Sequence, residues 1–219
     1  GVRDQMVLAT KVGTGPDGAG LTPKRIAQSA ETSLERLGTD RIDLYQLHVW
    51  DDNTPLEQTL VGLNDLVRQG KARAVGCSNY TAAQLQQALA AADLGGLTRL
   101  QSVQPHYNLA AREIESDLLP LCRDESVGVM TYSPLGAGFL TGKYRKGQPP
   151  PPGSRFDIKP GHQKIYFHDR MFEIAEAVGE LSTECGISVP HLALAWVFGQ
   201  TGLTSTLVGA RSIDHIEQA

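Results

Sequence analysis

Five polar side chains in this chain each follow an apolar run with the pattern of a β-strand. They are Lys11 after QMVLAT, His48 after IDLYQL, Asn79 after ARAVGCS, Gln104 after LQSV and Tyr132 after VGVMT. Successive positions are 25 to 37 residues apart, which leaves room for a loop, a helix and the next strand. An ammonium, an imidazole, two amides and a phenol in one cleft can bind a polar ligand and transfer protons. This set of residue types is the reason to interpret the chain as an enzyme.

Between these positions the pattern alternates between helix and strand. Thr22 is typical of a helix N-cap and Gly38 of a helix stop, while Thr54 and Glu57 have the spacing of a capping box. In a parallel α/β barrel all strands point the same way, so their carboxyl ends meet on the face where active sites form. The sequence therefore predicts that the five side chains converge at one rim.

The predicted strands end near residues 11, 48, 79, 104, 132 and 209. Six strands fit part of a TIM (β/α)8 barrel, which typically needs about 250 residues. We therefore expect a single, incomplete barrel domain over residues 1–219, running from the third strand to the start of the last helix. About two βα units are expected before residue 1. The segment at about 136–169, rich in Gly, Pro and positive charge, is predicted to be a long loop over the barrel mouth.

Composition narrows the function classes. The net charge of −4 gives no electrostatic reason to expect nucleic acid as a partner, and no apolar run is long enough to insert into a membrane. Cys77, Cys122 and Cys185 are odd in number and widely spaced, which suits a reducing compartment and predicts a cytoplasmic protein. No His, Cys and carboxylate cluster has ligand spacing, so no metal is expected. Oligomeric state stays open, with a homo-oligomer among the alternatives.

Six motifs, in order and at compatible spacing, resemble the aldo-keto reductases in their bacterial long-loop branch, which is similar to potassium-channel β subunits. They are LATKVG, RLGTDRIDLYQLH, GKARAVGCSNY, VQPHYNL, YSPLGAGFLTGKY and TLVGARS. The resemblance covers nearly all 219 residues. It implies a (β/α)8 barrel that binds NADP(H) across its carboxyl face and transfers hydride reversibly to an aldehyde or ketone.

The resemblance also implies catalytic residues. The family tetrad is Asp, Tyr, Lys and His, in which the tyrosine supplies a proton and the lysine lowers its pKa. Lys11 matches the lysine and His48 the histidine, while the family Asp and Tyr have no match in this chain. On the residues alone, a strand-end lysine in water is the more common interpretation of Lys11, and a core or rim residue is that of His48. Trp50 is expected to form an aromatic wall of the substrate pocket.

Further positions match the family's cofactor contacts. Those expected at the nicotinamide are Ser78, Asn79 and Gln104 for the carboxamide and Tyr132 for stacking on the ring. Those expected at the phosphates are Ser133, Leu135, Gly136, Lys143, Arg155, Gly209 and Arg211. Arg211 is expected to bind the adenosine 2′-phosphate, which favours NADP over NAD. His215 and Gln218 are expected near the adenine, where this chain departs from the family pattern.

Two other functions remain open at this point. One is an NADP-binding redox-sensing or channel-associated subunit with little turnover, which would share the visible residues. The other is a different TIM-barrel enzyme that binds phosphate at its last strands. The second alternative does not explain GCSNY and YSPLGAGFLTGKY in one chain.

Overall fold

The computed structural model describes residues 2–14, 19–210 and 213–217, without the side chain of residue 214. They fall into two compact units, one of residues up to 105 with 116–129, the other of residues 106–115 with those from 130 onward. The described residues form six strands, every neighbouring pair parallel, in the hydrogen-bonded order in which they occur in the sequence. Strands alternate with helices. The predicted fold class, part of a (β/α)8 barrel, is confirmed.

The first unit contains the strands and helices of four βα repeats, whereas residues 106–115, between the fourth strand and the fourth helix, belong to the second unit. The elements of the first unit are β1 (Ala9–Val12), α1 (Pro23–Leu37), β2 (Ile42–Leu47), α2 (Leu56–Arg68), β3 (Ala72–Ser78), α3 (Ala82–Gly95), β4 (Ser102–Gln104) and α4 (Leu118–Asp124). The strand β5 (Gly128–Tyr132) pairs with β4 through its first two residues, which belong to this unit. The helices of this unit bury apolar side chains such as Ile26, Leu60 and Leu85, and the strand residues Ile42 and Val75 are also buried.

Helix α1 shows how local sequence sets these elements. The Thr22 hydroxyl accepts a hydrogen bond from the amide of Arg25 at 3.3 Å, and Gly38 ends the helix at φ 61°. Ile26 and Leu34 lie on the buried face of α1, with Ala30 between them. Both predicted ends of this helix are confirmed.

The capping box predicted for Thr54 and Glu57 is wrong. Helix α2 begins at Leu56 with Pro55 at its N-cap, and the Thr54 hydroxyl donates to Asp51 Oδ2 at 2.6 Å. The charged carboxylate of Asp51 is the stronger acceptor, and it also binds the amide of Leu21 at 2.9 Å. Thr54 therefore anchors a loop and does not cap the helix.

Strand β1 is shorter at its start and longer at its end than its apolar run predicted. Residues Arg3–Gln5 form a 3-10 turn, and the strand ends at Val12, one residue beyond Lys11. Arg3 forms an ion pair with Asp43 at 2.8 Å, which holds the turn beside the start of β2. The strand therefore begins four residues after the start of the predicted run at Gln5, and residues 6–8 connect the turn to the strand.

The second unit continues from β5, whose last three residues pair with β6 (Ser205–Leu207). Its α-helices are α5 (Arg155–Ile158), α6 (Gln163–Tyr166), α7 (Asp169–Cys185), α8 (Val189–Phe198) and α9 (Ile213–Glu217). Residues Glu113–Glu115, Gly136–Thr141 and Pro160–His162 form 3-10 turns. The helices described here include none with the length and apolarity that a membrane crossing requires.

The predicted long loop at about 136–169 is packed around an aromatic core. Neighbouring rings in this core lie 4.9 to 6.4 Å apart between centroids. The rings belong to Phe139, Tyr144, Phe156, Tyr166, Phe167 and Phe172. The position of this segment relative to a barrel mouth, and the single domain over residues 1–219, stay predictions.

Candidate active site

Four polar residues of the first unit lie on one face of the sheet. Lys11 pairs in register with Gln46, and Gln46 pairs with Gly76. Ser78 stands two residues after Gly76 and pairs with Gln104. Residues paired across a parallel ladder, and residues two apart along a strand, point to the same side of a sheet. The sheet therefore places Lys11, Gln46, Ser78 and Gln104 on a shared face.

Lys11 is half-buried, and loss of water around its ammonium lowers its pKa. Lys11 also borders an open cavity of about 310 Å³ that is lined by residues of β1 and α1. Thr14, Arg25 and Arg36 also line this cavity. Lys11 is therefore partly shielded from water, and its catalytic role stays a prediction.

His48 directly follows β2, and its backbone amide donates to the carbonyl of Val12 at 2.8 Å. The Thr14 hydroxyl oxygen lies 2.6 Å from His48 Nδ1. Burial lowers the pKa of His48, and the charge of Lys11 lowers it further. The ring is therefore held at Nδ1, its surroundings favour the neutral form, and it lies within electrostatic reach of Lys11.

A hydrogen-bond network joins the ends of β2, β3 and β4. The Ser78 hydroxyl donates to the Gln104 carbonyl at 2.8 Å, and the Asn79 side-chain amide donates to the carbonyl of His48 at 3.0 Å. Asn79 has φ 59°, the left-handed conformation that Asn tolerates better than most residues. The first unit thus brings together Lys11, His48, Ser78, Asn79 and Gln104.

Sequence reasoning missed Gln46, which is completely buried. The Gln104 Nε2 group donates to Gln46 Oε1 at 3.1 Å, so Gln46 fixes the orientation of the predicted carboxamide-binding amide. The signal was present: a glutamine inside the otherwise apolar run IDLYQL needs a polar partner. What the pattern did not give was the partner's identity.

Trp50 lies on the loop after β2, with its indole N–H donating to Asp52 Oδ1 at 2.8 Å. Its ring makes an edge contact with Tyr80 at 5.2 Å between centroids. Trp50 is half-buried, so part of the residue stays accessible. This arrangement fits the predicted aromatic wall, whose role is still a prediction.

The second unit holds the predicted stacking and pyrophosphate residues. Tyr132 ends β5, and the chain then turns through Ser133 at φ 58°, Leu135 and Gly136 at φ 57°. Gly138 has φ 93°, and a Cβ added there would lie 3.6 Å from Lys143 Nζ. Gly138 thus has no side chain at the point where the Lys143 ammonium approaches the backbone. Backbone that carries no side chain and lies beside a positive charge is suited to binding a phosphate.

The remaining predicted cofactor residues are spread along the second unit. Lys143 and Arg155 are exposed, with Arg155 opening α5, and Gly209 follows β6. His215 is exposed on α9. Arg211 and Gln218 lie outside the described residues.

Over residues 2–14, 19–210 and 213–217 no group of three or more His, Cys, Asp or Glu is arranged to hold a metal ion.

Fold and site together define a parallel β/α-barrel protein with polar side chains on one face of its strands. The model of the Aldo/keto reductase family matches residues 1–219, so the chain belongs to that family. The resemblance predicted from the six motifs is confirmed.

Individual relatives include both reductases and channel subunits. The chain is 33% identical to a probable voltage-gated potassium channel subunit beta from Arabidopsis thaliana, over 99% of this chain and 67% of that protein. It is 35% identical to the aldo-keto reductase YhdN from Bacillus subtilis, over 99% of this chain and 65% of that protein. It is 33% identical to an NADH-specific methylglyoxal reductase from Escherichia coli, over 96% of this chain and 63% of that protein. The chain therefore spans about two thirds of the length of these relatives.

Proposed function

We propose that the full-length protein transfers a hydride between NADP(H) and an aldehyde or ketone. The observation that carries the proposal is the placement of Lys11 on β1 and of His48 directly after the neighbouring strand β2, where the charge of Lys11 lowers the pKa of His48. Both lie beside the amide network of Ser78, Asn79 and Gln104. Membership of the Aldo/keto reductase family supports carbonyl chemistry and a nicotinamide cofactor. The choice of NADP rests on Arg211 alone.

The bound cofactor supplies the hydride, and this chain's residues manage the charge that then builds on the carbonyl oxygen. A Lys11 ammonium lowers the electrostatic cost of that charge. When the Thr14 hydroxyl donates to Nδ1, the neutral His48 ring carries its proton on Nε2 and can donate a hydrogen bond, but not the proton itself, to the oxygen. The family Asp and Tyr have no match among these 219 residues, so the activity is proposed for the full-length protein.

The remaining residues take binding roles in this proposal. Ser78, Asn79 and Gln104 bind the nicotinamide carboxamide, because amide groups supply the matching donors and acceptors. Tyr132 stacks on the nicotinamide ring, and Trp50 limits the substrate pocket. The phosphate contacts come from Ser133, Leu135, Gly136, Lys143, Arg155, Gly209 and Arg211, and the adenine contacts from His215 and Gln218.

An alternative is an NADP-binding regulatory subunit with little turnover. This alternative is favoured by sequence identity to two probable voltage-gated potassium channel subunits beta. The identity is 33% for the subunit of Arabidopsis thaliana and 34% for that of Oryza sativa. Both functions use the same residues of this chain. They differ in whether bound cofactor is consumed. A cytoplasmic location is proposed for either function.

Steady-state oxidation of NADPH and NADH by the full-length protein tests the proposal, with methylglyoxal and 4-nitrobenzaldehyde as substrates. We expect carbonyl-dependent oxidation of NADPH with kcat of at least about 1 per second. Cofactor binding by calorimetry is measured in parallel. Tight NADPH binding without turnover would support the regulatory alternative, and no binding of either cofactor would contradict both functions.

A further inference from the structure

Asn108 is completely buried in the turn that follows β4, and its side chain has a fixed orientation. Its Oδ1 accepts a hydrogen bond from the amide of Ala110 at 3.0 Å, so the side-chain nitrogen points the other way. That nitrogen donates to the backbone carbonyl of Ser133 at 3.0 Å. Asn108 therefore ties this turn to the residue directly after Tyr132.

The segment held by Asn108 has an unusual backbone. Ser133 adopts φ 58°, which costs a non-glycine residue conformational energy and persists only where the surroundings enforce it. The Ser133 carbonyl also accepts from the amide of Gly136 at 2.9 Å. Two donors, one local and one from Asn108, thus fix the carbonyl around which residues 133–136 turn.

Tyr166 closes the turn from its other side. Gly136 has φ 57°, and a Cβ at this position would lie 2.9 Å from a ring carbon of Tyr166. The ring therefore packs directly against the glycine backbone. Any side chain at position 136 would displace either Tyr166 or the turn.

His106 links Tyr166 and Asn108. Its Nε2 lies 2.5 Å from the Tyr166 hydroxyl and 3.2 Å from the Asn108 side-chain nitrogen, so both groups share one acceptor. Burial lowers the pKa of His106, which keeps Nε2 able to accept. The His106 ring also lies 5.3 Å from the ring of Tyr132. The three side chains His106, Asn108 and Tyr166 form what we call the turn-support cluster.

We propose that Asn108 is a positioning residue, which with the turn-support cluster holds residues 133–136 in the conformation that binds the cofactor pyrophosphate. The inference rests on the proposed function and extends it to residues that make no cofactor contact. Backbone amides bind phosphate well only when they are oriented before the ligand arrives. The turn has positive φ at Ser133 and Gly136. It keeps its amides oriented only while Asn108 holds the Ser133 carbonyl and Tyr166 packs against the Gly136 backbone.

Asn108→Asp in the full-length protein is the sharpest test. Aspartate keeps the Oδ1 acceptor for Ala110 but cannot donate to Ser133. We expect the NADPH dissociation constant, measured by calorimetry, to rise about tenfold, as for loss of one buried hydrogen bond. We expect KM for NADPH to rise in parallel while kcat changes by less than about twofold, because the reacting atoms are not touched.

Tyr166→Phe and Tyr107→Phe form a matched pair that stays informative if Asn108→Asp does not fold. Both remove one hydroxyl from a buried tyrosine, but the Tyr107 hydroxyl donates to Glu115 at 2.6 Å, outside the cluster. We expect Tyr166→Phe to weaken NADPH binding about threefold and Tyr107→Phe to leave it unchanged. Wild-type affinity in both Asn108→Asp and Tyr166→Phe, or equal losses in the two tyrosine variants, would overturn the inference. A wild-type protein that binds no dinucleotide would refute the proposed function itself.

Discussion

The Thr14 hydroxyl oxygen lies 2.6 Å from Nδ1 of His48, although the two residues stand in different loops after β1 and β2. This contact selects the ring nitrogen that faces away from Thr14 as the one available for chemistry. We expect Thr14→Val, which keeps the shape but removes the hydroxyl, to lower kcat about tenfold through misplacement of the ring. Steady-state kinetics on the full-length protein measure this, with Thr14→Ser as the control that keeps the oxygen. Unchanged kcat in the valine variant would show that Thr14 does not orient His48.

Lys11→Met removes the positive charge that acts on His48. We expect the pKa of His48, followed by NMR titration, to rise toward the ordinary value of about 6.5 but to stay below it, since burial remains the larger cause. Lys24→Met, which removes an exposed lysine from α1, is the matched control. A His48 pKa that does not move in Lys11→Met would mean that the two groups do not interact.

The same pKa shift makes stability depend on pH. The pKa of His48 is lower in the folded state, so the unfolded chain binds a proton first as pH falls. The contribution of His48 to the free energy of unfolding is therefore complete above about pH 6.5 and is lost on acidification below it. We expect His48→Gln to make this acid-side decline less steep in denaturant titrations at several pH values. An equally steep decline in the variant would mean that another group causes the loss of stability at acid pH. His106 is one such group, because burial also lowers its pKa.

Lys11→Met also tests the proposed chemistry. The side chain keeps its apolar length but cannot stabilise charge on the carbonyl oxygen, so we expect turnover to fall at least about a hundredfold. NADPH binding should stay within about twofold of wild type, since no cofactor contact is assigned to this residue. Strong residual turnover would count against the catalytic role, and a large loss of binding would reassign Lys11 to the cofactor.

Local signals in the sequence predicted much of the first unit. Thr22 and Gly38 bound α1 because a cap needs only its immediate neighbours, and Thr81 caps α3 with Gln84 in the same way. Thr54 had an equally good local signal and failed, because Asp51 competes for its hydroxyl. Local rules hold where no tertiary partner intervenes.

The candidate site was predictable in its residue types but not in its contacts. The apolar runs before Lys11 and His48 predicted that both lie at or near strand ends, and the family motifs predicted their roles. The bond between Gln46 and Gln104 joins residues 58 positions apart, and it depends on the register of three strands. The support of Ser133 by Asn108 depends likewise on a turn whose backbone the sequence pattern does not specify.

Gln46→Leu tests the buried amide pair. It leaves the Gln104 side-chain nitrogen without its acceptor, and we expect the free energy of unfolding to fall by about 1–3 kcal/mol. Replacing both residues by Leu should recover part of that loss, since neither polar group is then left unpaired. Chemical denaturation of the two single variants and the double variant measures the coupling. Purely additive losses would show that the bond contributes nothing specific.

Arg211→Ala tests the preference for NADP. If the guanidinium binds the 2′-phosphate, the dissociation constant should rise at least about tenfold for NADPH and less than about twofold for NADH. Calorimetry with both cofactors measures this in the full-length protein. The NADH-specific relative from Escherichia coli, 33% identical, provides a reference for a family member that does not use that phosphate. Equal losses for both cofactors would contradict the assignment.

Gly76 lies on the face of the sheet that carries Lys11 and Gln46, and it pairs with Ser102 of β4. A Cβ there would lie 2.7 Å from the carbonyl oxygen of Ser102 and would also meet its hydroxyl. Gly76→Ala must therefore push two paired strands apart, and we expect the free energy of unfolding to fall by about 1–3 kcal/mol. Gly179, inside α7, has nothing within 4 Å of its added Cβ, so Gly179→Ala should raise that energy by about 0.5–1 kcal/mol. Denaturant titrations of both variants give the comparison.

Because β3 carries Ser78 at its end, Gly76→Ala should also weaken nicotinamide cofactor binding, whereas Gly179→Ala should not. A Gly76→Ala protein as stable as wild type would mean that the strands can separate here without cost, and the rigid placement of the polar face would then be wrong.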